Sequence, residues 1–393
     1  MALHILHITP SLGRGGSERQ LTSLVVNSDP SEFAHTVCYL WPPDDFRDQI
    51  LAAGHRVLRL NPRQVRPWLA TTGKLVSVFR REQPDIMQTW LYQATIAARL
   101  AMLFGPRVPL LTSLQSPEYA PDAVQMCSWP RIKVEAIRHL DWASSRWSCT
   151  TFVAASHYVK QTAQLHLGAP PQRVHVIYNS FDAEGLHSRP EDRHRLRSEL
   201  QLPPDSFIFL NVGRLDPQKG QAYLLRAFSA VLPATPDAYL VIVGAGPLDA
   251  ELKGLACTLK ISRHVRFLGR RSDMGACYEM ADVFVFPSLF EGFSVALLEA
   301  MYKGLPCIAS GIGPILELIK DGETGILVPA ASADPLADAM LSLYMDRDLR
   351  GSVAARGREE ALRQFQTPLI IPQWRALYRQ LARNNVNAQL QPV

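Results

Sequence analysis

The amino-acid sequence predicts an α/β protein made of two Rossmann-like domains, each built on a parallel sheet. Short apolar segments alternate with longer amphipathic ones, which is typical of parallel strands joined by helical crossovers. These segments form two series separated by a charged stretch. A chain of 393 residues also exceeds what one hydrophobic core usually organises, which favours two domains.

The first series predicts strands at residues 3–9, 35–40, 56–60, 85–89, 108–113, 151–155 and 174–178. The second series predicts strands at 206–212, 239–244, 264–268, 282–286, 305–310 and 325–328. Between them, residues 183–203 are rich in charge, and a Pro-Pro pair follows at 203–204. We therefore predict an N-terminal domain at 1–185, a C-terminal domain at 186–366, and a segment at 367–393. In that segment a helix at about 368–383 packs back on the N-terminal domain and a frayed tail follows.

Composition and charge exclude several classes of protein. The content of 47% hydrophobic and 20% charged residues is that of an ordinary globular protein. The first 185 residues carry 18 Lys and Arg against 14 Asp and Glu, and the rest carry 23 against 22. The excess positive charge therefore suits an anionic ligand or membrane surface near the first domain, but it is too small to indicate nucleic acid.

Targeting signals and cysteines point to the cytoplasm. The N-terminal apolar run is too short for a signal peptide, and no apolar stretch approaches the roughly 18 residues that cross a bilayer. The six cysteines are scattered without Cys-x-x-Cys spacing. We expect reduced, mostly buried thiols in a cytoplasmic protein.

Two glutamates, Glu291 and Glu299, follow the predicted strand at 282–286 and flank the start of a helix. Open α/β sheets bind ligands at the carboxyl ends of their strands. Carboxylates accept hydrogen bonds from hydroxyls, so the pair suits the hexose and ribose of a sugar nucleotide. The alternative is one solvated loop glutamate and one surface helix glutamate.

Glycine-rich turns follow the first strand of each series. Gly13, Gly15 and Gly16 precede a predicted helix whose backbone N–H groups favour an anion. Their spacing departs from the dinucleotide fingerprint, which disfavours a nicotinamide cofactor. A turn needed only for folding is the alternative.

In the second series, Gly213, Arg214 and Lys219 follow the strand at 206–212. We expect both cations to converge on one diphosphate and to neutralise the charge that develops as it leaves. A further turn contains Gly244 and Gly246. Close approach to a nucleobase or sugar and a simple tight turn both explain it.

These motifs, in this order, resemble the retaining glycosyltransferases of family 4, which have the GT-B fold. The matching segments are Gly15-Gly16-x-Glu18, Asn179-x-x-Asp182, Gly213-Arg214-Leu-x-x-x-Lys219-Gly220, Gly244-x-Gly246 and Glu291-x7-Glu299. The resemblance covers nearly the whole chain and is most specific between residues 206 and 330. It implies two Rossmann-like domains whose sheets face each other across a cleft.

The resemblance also implies site residues. The catalytic set is Glu291, Arg214 and Lys219, and the donor-binding set is Gly16, Gly213, Arg214, Lys219, Gly244, Phe293, Ser294, Val295 and Glu299. In this family the cations hold the diphosphate, the first glutamate contacts the transferred sugar, and the second binds the ribose hydroxyls. The leaving phosphate takes the acceptor's proton, so we expect no metal and no cofactor.

On the acceptor side, the resemblance points to Gly15, Trp90, Gln93 and Gln115. Many relatives carry a histidine after the fifth strand of the first domain, where Gln115 or a neighbour stands here. Glutamine also occurs near residue 93 where histidine is common. Glutamine forms hydrogen bonds but does not titrate near neutrality, so a histidine-dependent mechanism fits poorly.

Two basic segments with tryptophan are candidates for an acceptor lip or a contact with an anionic membrane, namely residues 126–150 and Arg66 to Arg81. The alternative is that they are helices packed on the first domain.

The function expected from this resemblance is metal-independent hexosyl transfer with retention of anomeric configuration. The donor is UDP- or GDP-linked, and the acceptor is a glycan or lipid-linked molecule in cell-surface polysaccharide or glycolipid biosynthesis. We expect a cytoplasmic enzyme, peripheral at most, with no nucleic-acid partner. The alternatives are a GT-B nucleotide-sugar epimerase and a non-catalytic nucleotide-sugar-binding protein.

Overall fold

The computed structural model describes residues 2–61, 68–106, 108–126, 129–147 and 150–390. The chain divides into two compact units. Unit 1 comprises Met1–Asn179 and Thr367–Val393, and unit 2 comprises Ser180–Gln366. The division therefore falls a few residues before the boundary predicted at 185.

Unit 1 contains a seven-stranded parallel sheet in the order β3-β2-β1-β4-β5-β6-β7. Its strands are β1 (Leu3–Thr9), β2 (Phe33–Tyr39), β3 (Arg56–Arg59), β4 (Ile86–Trp90), β5 (Leu110–Leu114), β6 (Thr150–Ala154) and β7 (Val174–Val176). The helices among them are α1 (Gly16–Val26), α2 (Arg47–Ala52), α3 (Trp68–Glu82), α4 (Leu91–Met102), α5 (Pro121–Met126), α6 (Arg131–Trp147) and α7 (His157–Leu167).

Helices cover both faces of this sheet. Successive residues of β1 point to opposite faces, so Ile5 packs with Leu21 of α1 on one side and Leu6 packs with Phe79 of α3 on the other. The strand order reverses at β1, which pairs with β2 on one side and β4 on the other. The carboxyl ends of β1 and β4 therefore form a topological switch point, where α/β sheets bind ligands.

Unit 2 contains a six-stranded parallel sheet in the order β10-β9-β8-β11-β12-β13. Its strands are β8 (Phe207–Val212), β9 (Ala238–Val243), β10 (Val265–Phe267), β11 (Val283–Phe286), β12 (Cys307–Ser310) and β13 (Ile326–Val328). Its helices are α8 (Pro190–Glu199), α9 (Gln221–Val231), α10 (Asp249–Thr258), α11 (Met274–Glu279), α12 (Val295–Tyr302), α13 (Ala333–Met345) and α14 (Arg347–Gln364). The switch point lies between β8 and β11.

The C-terminal helix α15 (Thr367–Leu390) belongs to unit 1. Its Tyr378 hydroxyl donates a hydrogen bond to Gln88 of β4, and its Trp374 ring lies 6.0 Å from that of Trp90. The helix continues beyond the predicted end at 383, because the polar residues that follow keep a helical backbone. Residues 391–393, the end of the predicted frayed tail, lie outside the described residues.

The predicted fold class is confirmed, since each of the thirteen predicted strand segments overlaps a strand of the structure. Among the described residues, no helix combines the length and apolar character needed to cross a bilayer. Of the cysteines, Cys38, Cys277 and Cys307 are buried free thiols and Cys257 is an exposed one. Cys127 and Cys149 lie outside the described residues.

Candidate functional site

The carboxyl ends of β8 and β11 meet at the switch point of unit 2. The loop after β8 carries Arg214 and Lys219, and the loop after β11 carries Glu291. Two hydrogen bonds tie these loops together. The Leu289 N–H donates to the Gln218 carbonyl at 2.8 Å, and the Gln218 side-chain amide donates to the Phe290 carbonyl at 2.9 Å. The predicted cations and the first glutamate therefore lie on two connected loops.

Lys219 forms an ion pair with Glu291, joining Nζ to Oε1. The pair is largely closed to solvent, with exposed side-chain fractions of 18% for Lys219 and 7% for Glu291. The Lys219 ammonium also lies 5.2 Å from the centre of the Phe286 ring. An anion that approaches Lys219 competes with Glu291 for the same ammonium.

Arg214 contacts a different carboxylate, that of Asp216. Its side chain is 67% exposed, whereas that of Asp216 is nearly buried. The sequence predicts that Arg214 and Lys219 converge on one diphosphate. The structure instead pairs each cation with its own carboxylate, so convergence requires the exposed Arg214 side chain to turn.

Gly244 holds the loop after β9 against the loop after β8. Its φ of +148° is one that other residues rarely adopt, and a Cβ there would collide with the Gly213 carbonyl oxygen. A Cβ at Gly246 would collide with the Leu215 carbonyl. The sequence left open a tight turn or a close approach to a ligand. In the structure the glycines allow two backbone segments to approach each other, which supports the tight turn.

Helix α12 starts beside these loops. Ser294 is its N-cap, and its hydroxyl accepts a hydrogen bond from the Leu297 N–H at 3.2 Å. The flanking residues Phe293 and Val295 are also buried. The positive end of the helix dipole favours an anion here.

Glu299 lies one turn further along α12, and its side chain is buried. Its Oε2 accepts a hydrogen bond from the Tyr278 hydroxyl at 2.8 Å, and the same hydroxyl lies 3.2 Å from the Ala296 carbonyl oxygen. Tyr278 on α11 therefore fixes the orientation of the carboxylate. Sequence reasoning missed Tyr278, because no periodicity links two residues on separate helices.

In unit 1, Gly15 is the N-cap of α1 and Gly16 is its first residue. A Cβ at Gly16 would meet no atom within 4 Å, so the space above it is open. A Cβ at Gly15 would meet the Glu18 carboxylate, whose Oε1 accepts a hydrogen bond from the Ser11 hydroxyl at 3.1 Å. The glycine turn thus leaves room for a ligand at Gly16.

Trp90 is a correction to the sequence prediction. Its side chain is only 1% exposed and lies in the core of unit 1. The indole N–H donates to His7 Nδ1 at 3.3 Å, and the ring packs near Trp374. Strand β4 is buried on both faces, so a residue at its end points into the core and does not offer its ring to an acceptor.

Gln93 and Gln115 lie at the start of α4 and just after β5. Within the described part of the chain, the buried side-chain oxygen of each has no hydrogen-bond partner. A buried acceptor without a partner costs about 1–3 kcal/mol, and a ligand hydroxyl can recover that cost. Both amides are therefore suited to hydrogen-bond a hydroxyl.

Comparison with known proteins gives two family matches. Residues 14–184 match the family model described as Glycosyltransferase Family 4, and residues 192–360 match the one described as Glycosyl transferases group 1.

Two relatives match along most of their length. A GDP-mannose-dependent alpha-(1-6)-phosphatidylinositol monomannoside mannosyltransferase of Mycobacterium tuberculosis is 30% identical over 369 residues, 90% of this chain and 91% of the relative. An N-acetyl-alpha-D-glucosaminyl L-malate synthase of Bacillus anthracis is 26% identical over 324 residues, 82% of this chain and 81% of the relative.

Among solved structures, Anabaena Alr3699/HepE in complex with UDP and glucose is similar in fold, with a TM-score of 0.83 and 22% identity. The match covers 96% of this chain and all of that one. WaaG, a glycosyltransferase involved in lipopolysaccharide biosynthesis, has a TM-score of 0.75 at 17% identity, over 93% of this chain and 97% of that one.

Proposed function

The chain belongs to glycosyltransferase family 4 and has the GT-B fold, and from this premise we propose the reaction that it catalyses. It transfers a hexose from a UDP- or GDP-linked donor to a glycan or lipid-linked acceptor, with retention of anomeric configuration. The observation that carries the proposal is the Lys219–Glu291 pair at the switch point of unit 2. Relatives named as GDP-mannose-dependent or solved with UDP and glucose support this donor class.

In the proposed donor complex, the diphosphate takes the Lys219 ammonium, and Arg214 turns its exposed guanidinium to the same phosphates. The start of α12, at Phe293, Ser294 and Val295, offers backbone N–H groups to the phosphate oxygens. Glu299, held by Tyr278, accepts hydrogen bonds from the ribose hydroxyls.

Release of Lys219 from its ion pair leaves the Glu291 carboxylate available to the hydroxyls of the transferred hexose. The acceptor hydroxyl then attacks the anomeric carbon on the face from which the diphosphate departs. The bond from that carbon to the phosphate oxygen breaks, and the departing phosphate takes the acceptor's proton. This step needs no metal and no cofactor, and Lys219 and Arg214 stabilise the charge on the leaving group.

The acceptor is bound by unit 1 in this proposal. Gly15 provides the turn at the start of α1, and the unpartnered side-chain oxygens of Gln93 and Gln115 accept hydrogen bonds from acceptor hydroxyls. A lipid-linked acceptor would be met at the cytoplasmic face of an anionic membrane.

The test is incubation with a panel of UDP- and GDP-sugars, with and without glycan or lipid-linked acceptors, with product configuration read by NMR. Acceptor-dependent release of nucleotide and a retained anomeric centre support the proposal. Isomerisation without acceptor assigns an epimerase, and binding without turnover assigns a binding protein. A failure to bind any nucleotide sugar overturns all three.

Two variants test the ribose contact within the same assay. Glu299→Gln should weaken donor affinity more than it changes the pH profile of turnover, because its proposed role is hydrogen bonding and not acid–base chemistry. Tyr278→Phe removes only the hydroxyl that orients Glu299 and should cause a smaller loss of the same kind. A shifted pH optimum in Glu299→Gln would contradict the assignment.

A further inference from the structure

Helix α6 buries two polar residues beside the apolar Val134, and it leaves several large apolar residues exposed. Asp141 and Ser144 are buried, whereas Leu140 and Trp142 are exposed and Ile132 is 82% exposed. A surface helix normally shows the reverse arrangement. The three exposed apolar side chains therefore contribute little to anchoring this helix, and another reason is needed for their presence.

The polar anchor of α6 is an ion pair with α4. Arg99 Nη1 donates to Asp141 Oδ1 at 2.5 Å and to the Asp141 carbonyl at 3.0 Å, and it lies 3.3 Å from the Ser144 hydroxyl. The Tyr119 hydroxyl donates to the other Asp141 oxygen at 2.9 Å. Buried charges are stable only when satisfied in this way, and breaking such a pair is costly. The ion pair thus fixes which face of α6 points outward.

Further exposed apolar side chains lie on, or directly after, the helices that contact α6. Helices α4 and α6 run side by side in the same direction, since Tyr92 contacts Trp129 and Arg99 contacts Asp141 further along both. Arg138 donates to the His166 carbonyl and so joins the end of α7 to α6. Six of the ten large hydrophobic residues exposed in the described chain lie on these three helices or directly after α4. We refer to these six residues together as the α6 surface: Leu103, Phe104, Ile132, Leu140, Trp142 and Leu165.

The charges beside the α6 surface are mainly positive. Helix α6 carries Arg131, Lys133, Arg138 and Arg146, and its only exposed carboxylate, Glu135, is paired with Arg138. The Lys133 ammonium lies 4.0 Å from the Trp129 ring centre. The Arg146 guanidinium lies 4.2 Å from that of Trp142. Indole rings with adjacent cations are typical of the headgroup region of anionic membranes.

The other segment that the sequence suggests for a membrane contact behaves differently. The apolar residues Leu75 and Phe79 of α3 pack in the core of unit 1, so they present no apolar face to solvent. Arg66 and Pro67, at the start of that segment, lie outside the described residues, and the structure does not describe the side chains of Trp68 and Leu69. Among the side chains that the structure describes on these two helices, exposed large apolar residues therefore coincide with positive charge on α6 and not on α3.

We propose that the α6 surface docks unit 1 on an anionic lipid bilayer, with α6 lying in the plane of the headgroups. The apolar side chains enter the boundary with the acyl chains, and the flanking Arg and Lys residues contact lipid phosphates. This proposal rests on the proposed function, to which it adds the surface that brings unit 1 to a lipid-linked acceptor.

The test is sedimentation of the full chain with phosphatidylcholine vesicles that contain or lack phosphatidylglycerol. We expect binding to the anionic vesicles alone, and loss of that binding near 1 M salt, where the Debye length is about 3 Å. The double variant Ile132→Asp/Leu140→Asp should bind at least about tenfold more weakly, since each aspartate replaces an inserted side chain. Lys133→Gln/Arg146→Gln should weaken binding and its dependence on salt.

The matched control is Met345→Asp, which places the same charge on an exposed apolar residue of unit 2 and should bind as the wild type does. Equal binding by Ile132→Asp/Leu140→Asp and wild type overturns the proposal. So does wild-type binding that ignores lipid charge. Self-association lost in the double variant, without vesicle binding, assigns the surface to a second copy and also overturns it.

A second readout separates this proposal from the proposed function. Binding of UDP- and GDP-sugars without vesicles should be equal in wild type and in Ile132→Asp/Leu140→Asp, because Arg214, Lys219 and Glu299 lie in unit 2 and neither substituted residue belongs to the donor-binding set. Donor binding without vesicle binding leaves the transferase intact and ends the membrane proposal. Vesicle binding without donor binding supports the membrane proposal and contradicts the proposed transferase. Far-UV circular dichroism checks that each variant is folded.

Discussion

Lys219 and Glu291 neutralise each other at the switch point of unit 2, although they lie on different loops. The proposed reaction needs the lysine for the diphosphate and the glutamate for the transferred sugar. A diphosphate carries more charge than a carboxylate and offers more acceptor oxygens, so it can displace Glu291 from the ammonium. Donor binding would thereby release the carboxylate at the moment when the sugar arrives.

Lys219→Ala should weaken UDP binding and lower turnover by about a hundredfold or more, equivalent to ~2.7 kcal/mol. The variant loses the phosphate contact and leaves Glu291 in a nearly buried position without its cation. Calorimetric titration with UDP and steady-state turnover measure the two losses.

The matched control is Lys253→Ala in the same unit. Lys253 also forms an ion pair, with Asp249 at 2.7 Å, and also lies over an aromatic ring, that of Phe267 at 5.8 Å. It lies on α10, away from the switch-point loops, so its loss should change neither quantity. Equal losses in both variants, or wild-type activity in Lys219→Ala, would contradict the assignment.

Gly244→Ala should destabilise unit 2 by about 2 kcal/mol or more, because the substitution combines an unfavourable φ with a clash against the Gly213 carbonyl. Gly254→Ala is the control: it lies within α10, a Cβ there meets no atom within 4 Å, and it should stabilise by about 0.5–1 kcal/mol. All seven tryptophans lie in unit 1. Unfolding of unit 2 is therefore followed by far-UV circular dichroism. Equal changes in the free energy of unfolding of the two variants would contradict the prediction.

The fold is predictable because its signals are local. Each strand is a short apolar run bounded by turn residues, so thirteen strands can be located without knowing what they pack against. Boundaries within two or three residues follow for the same reason.

The partners of site residues are less predictable, because they depend on packing between distant segments. Lys219 is 72 positions from Glu291. Nothing in the residues around Lys219 indicates that its ammonium pairs with this glutamate when no ligand is bound. Trp90 fails as an acceptor contact because proximity to a strand end does not tell which face the side chain takes. Gln93 and Gln115 were suggested by resemblance, and the structure adds their unpartnered oxygens.

The sequence also did not predict a chain of buried histidines in unit 1, because His7, His35 and His55 are spread over 49 positions. Trp90 donates to His7 Nδ1, so His7 carries its proton on Nε2 and donates it to His35 Nδ1 at 2.8 Å. The His35 backbone N–H donates to His55 Nδ1 with the two nitrogens 3.4 Å apart, and His55 Nε2 donates to the Ser28 carbonyl at 3.2 Å. All three rings are therefore held neutral.

Burial and the neighbouring His55 lower the pKa of His7 to about 3. Burial and His7 hold the pKa of His35 well below its usual range.

Unit 1 should lose stability as the pH falls below about 6.5. Over that range the unfolded histidines bind protons that the folded ones cannot, so the free energy of unfolding falls by up to about 1.4 kcal/mol per pH unit for each histidine. For His7 the loss continues to its folded pKa of about 3. The His35→Asn variant keeps an acceptor for His7, but its side chain does not titrate. The variant should therefore take up about one proton fewer on unfolding, which makes the free energy of unfolding less dependent on pH. Urea titrations at several pH values, followed by tryptophan fluorescence, measure the free energy of unfolding. If its pH dependence is the same in His35→Asn and wild type, His35 does not contribute to the loss of stability.

Glu118 titrates in the opposite sense. It is half-buried and lines a cavity in unit 1 with Tyr119 and Asp141. Burial, and then the charge of Asp141, raise its pKa to about 8. The group is therefore mainly a neutral acid at pH 7, and it can donate a hydrogen bond there.

Glu118→Gln should make unit 1 more stable at pH 8 and leave it nearly unchanged at pH 4. Between about 4.5 and 8 the unfolded glutamate loses a proton that the folded one keeps, so the wild type loses up to about 1.4 kcal/mol per pH unit as the pH rises. The amide is neutral in both states and removes that loss. Tryptophan fluorescence during urea unfolding measures the difference, and Glu135→Gln controls for removing one carboxyl from unit 1. A constant difference between wild type and Glu118→Gln across this pH range would mean that Glu118 is ionised in the folded protein.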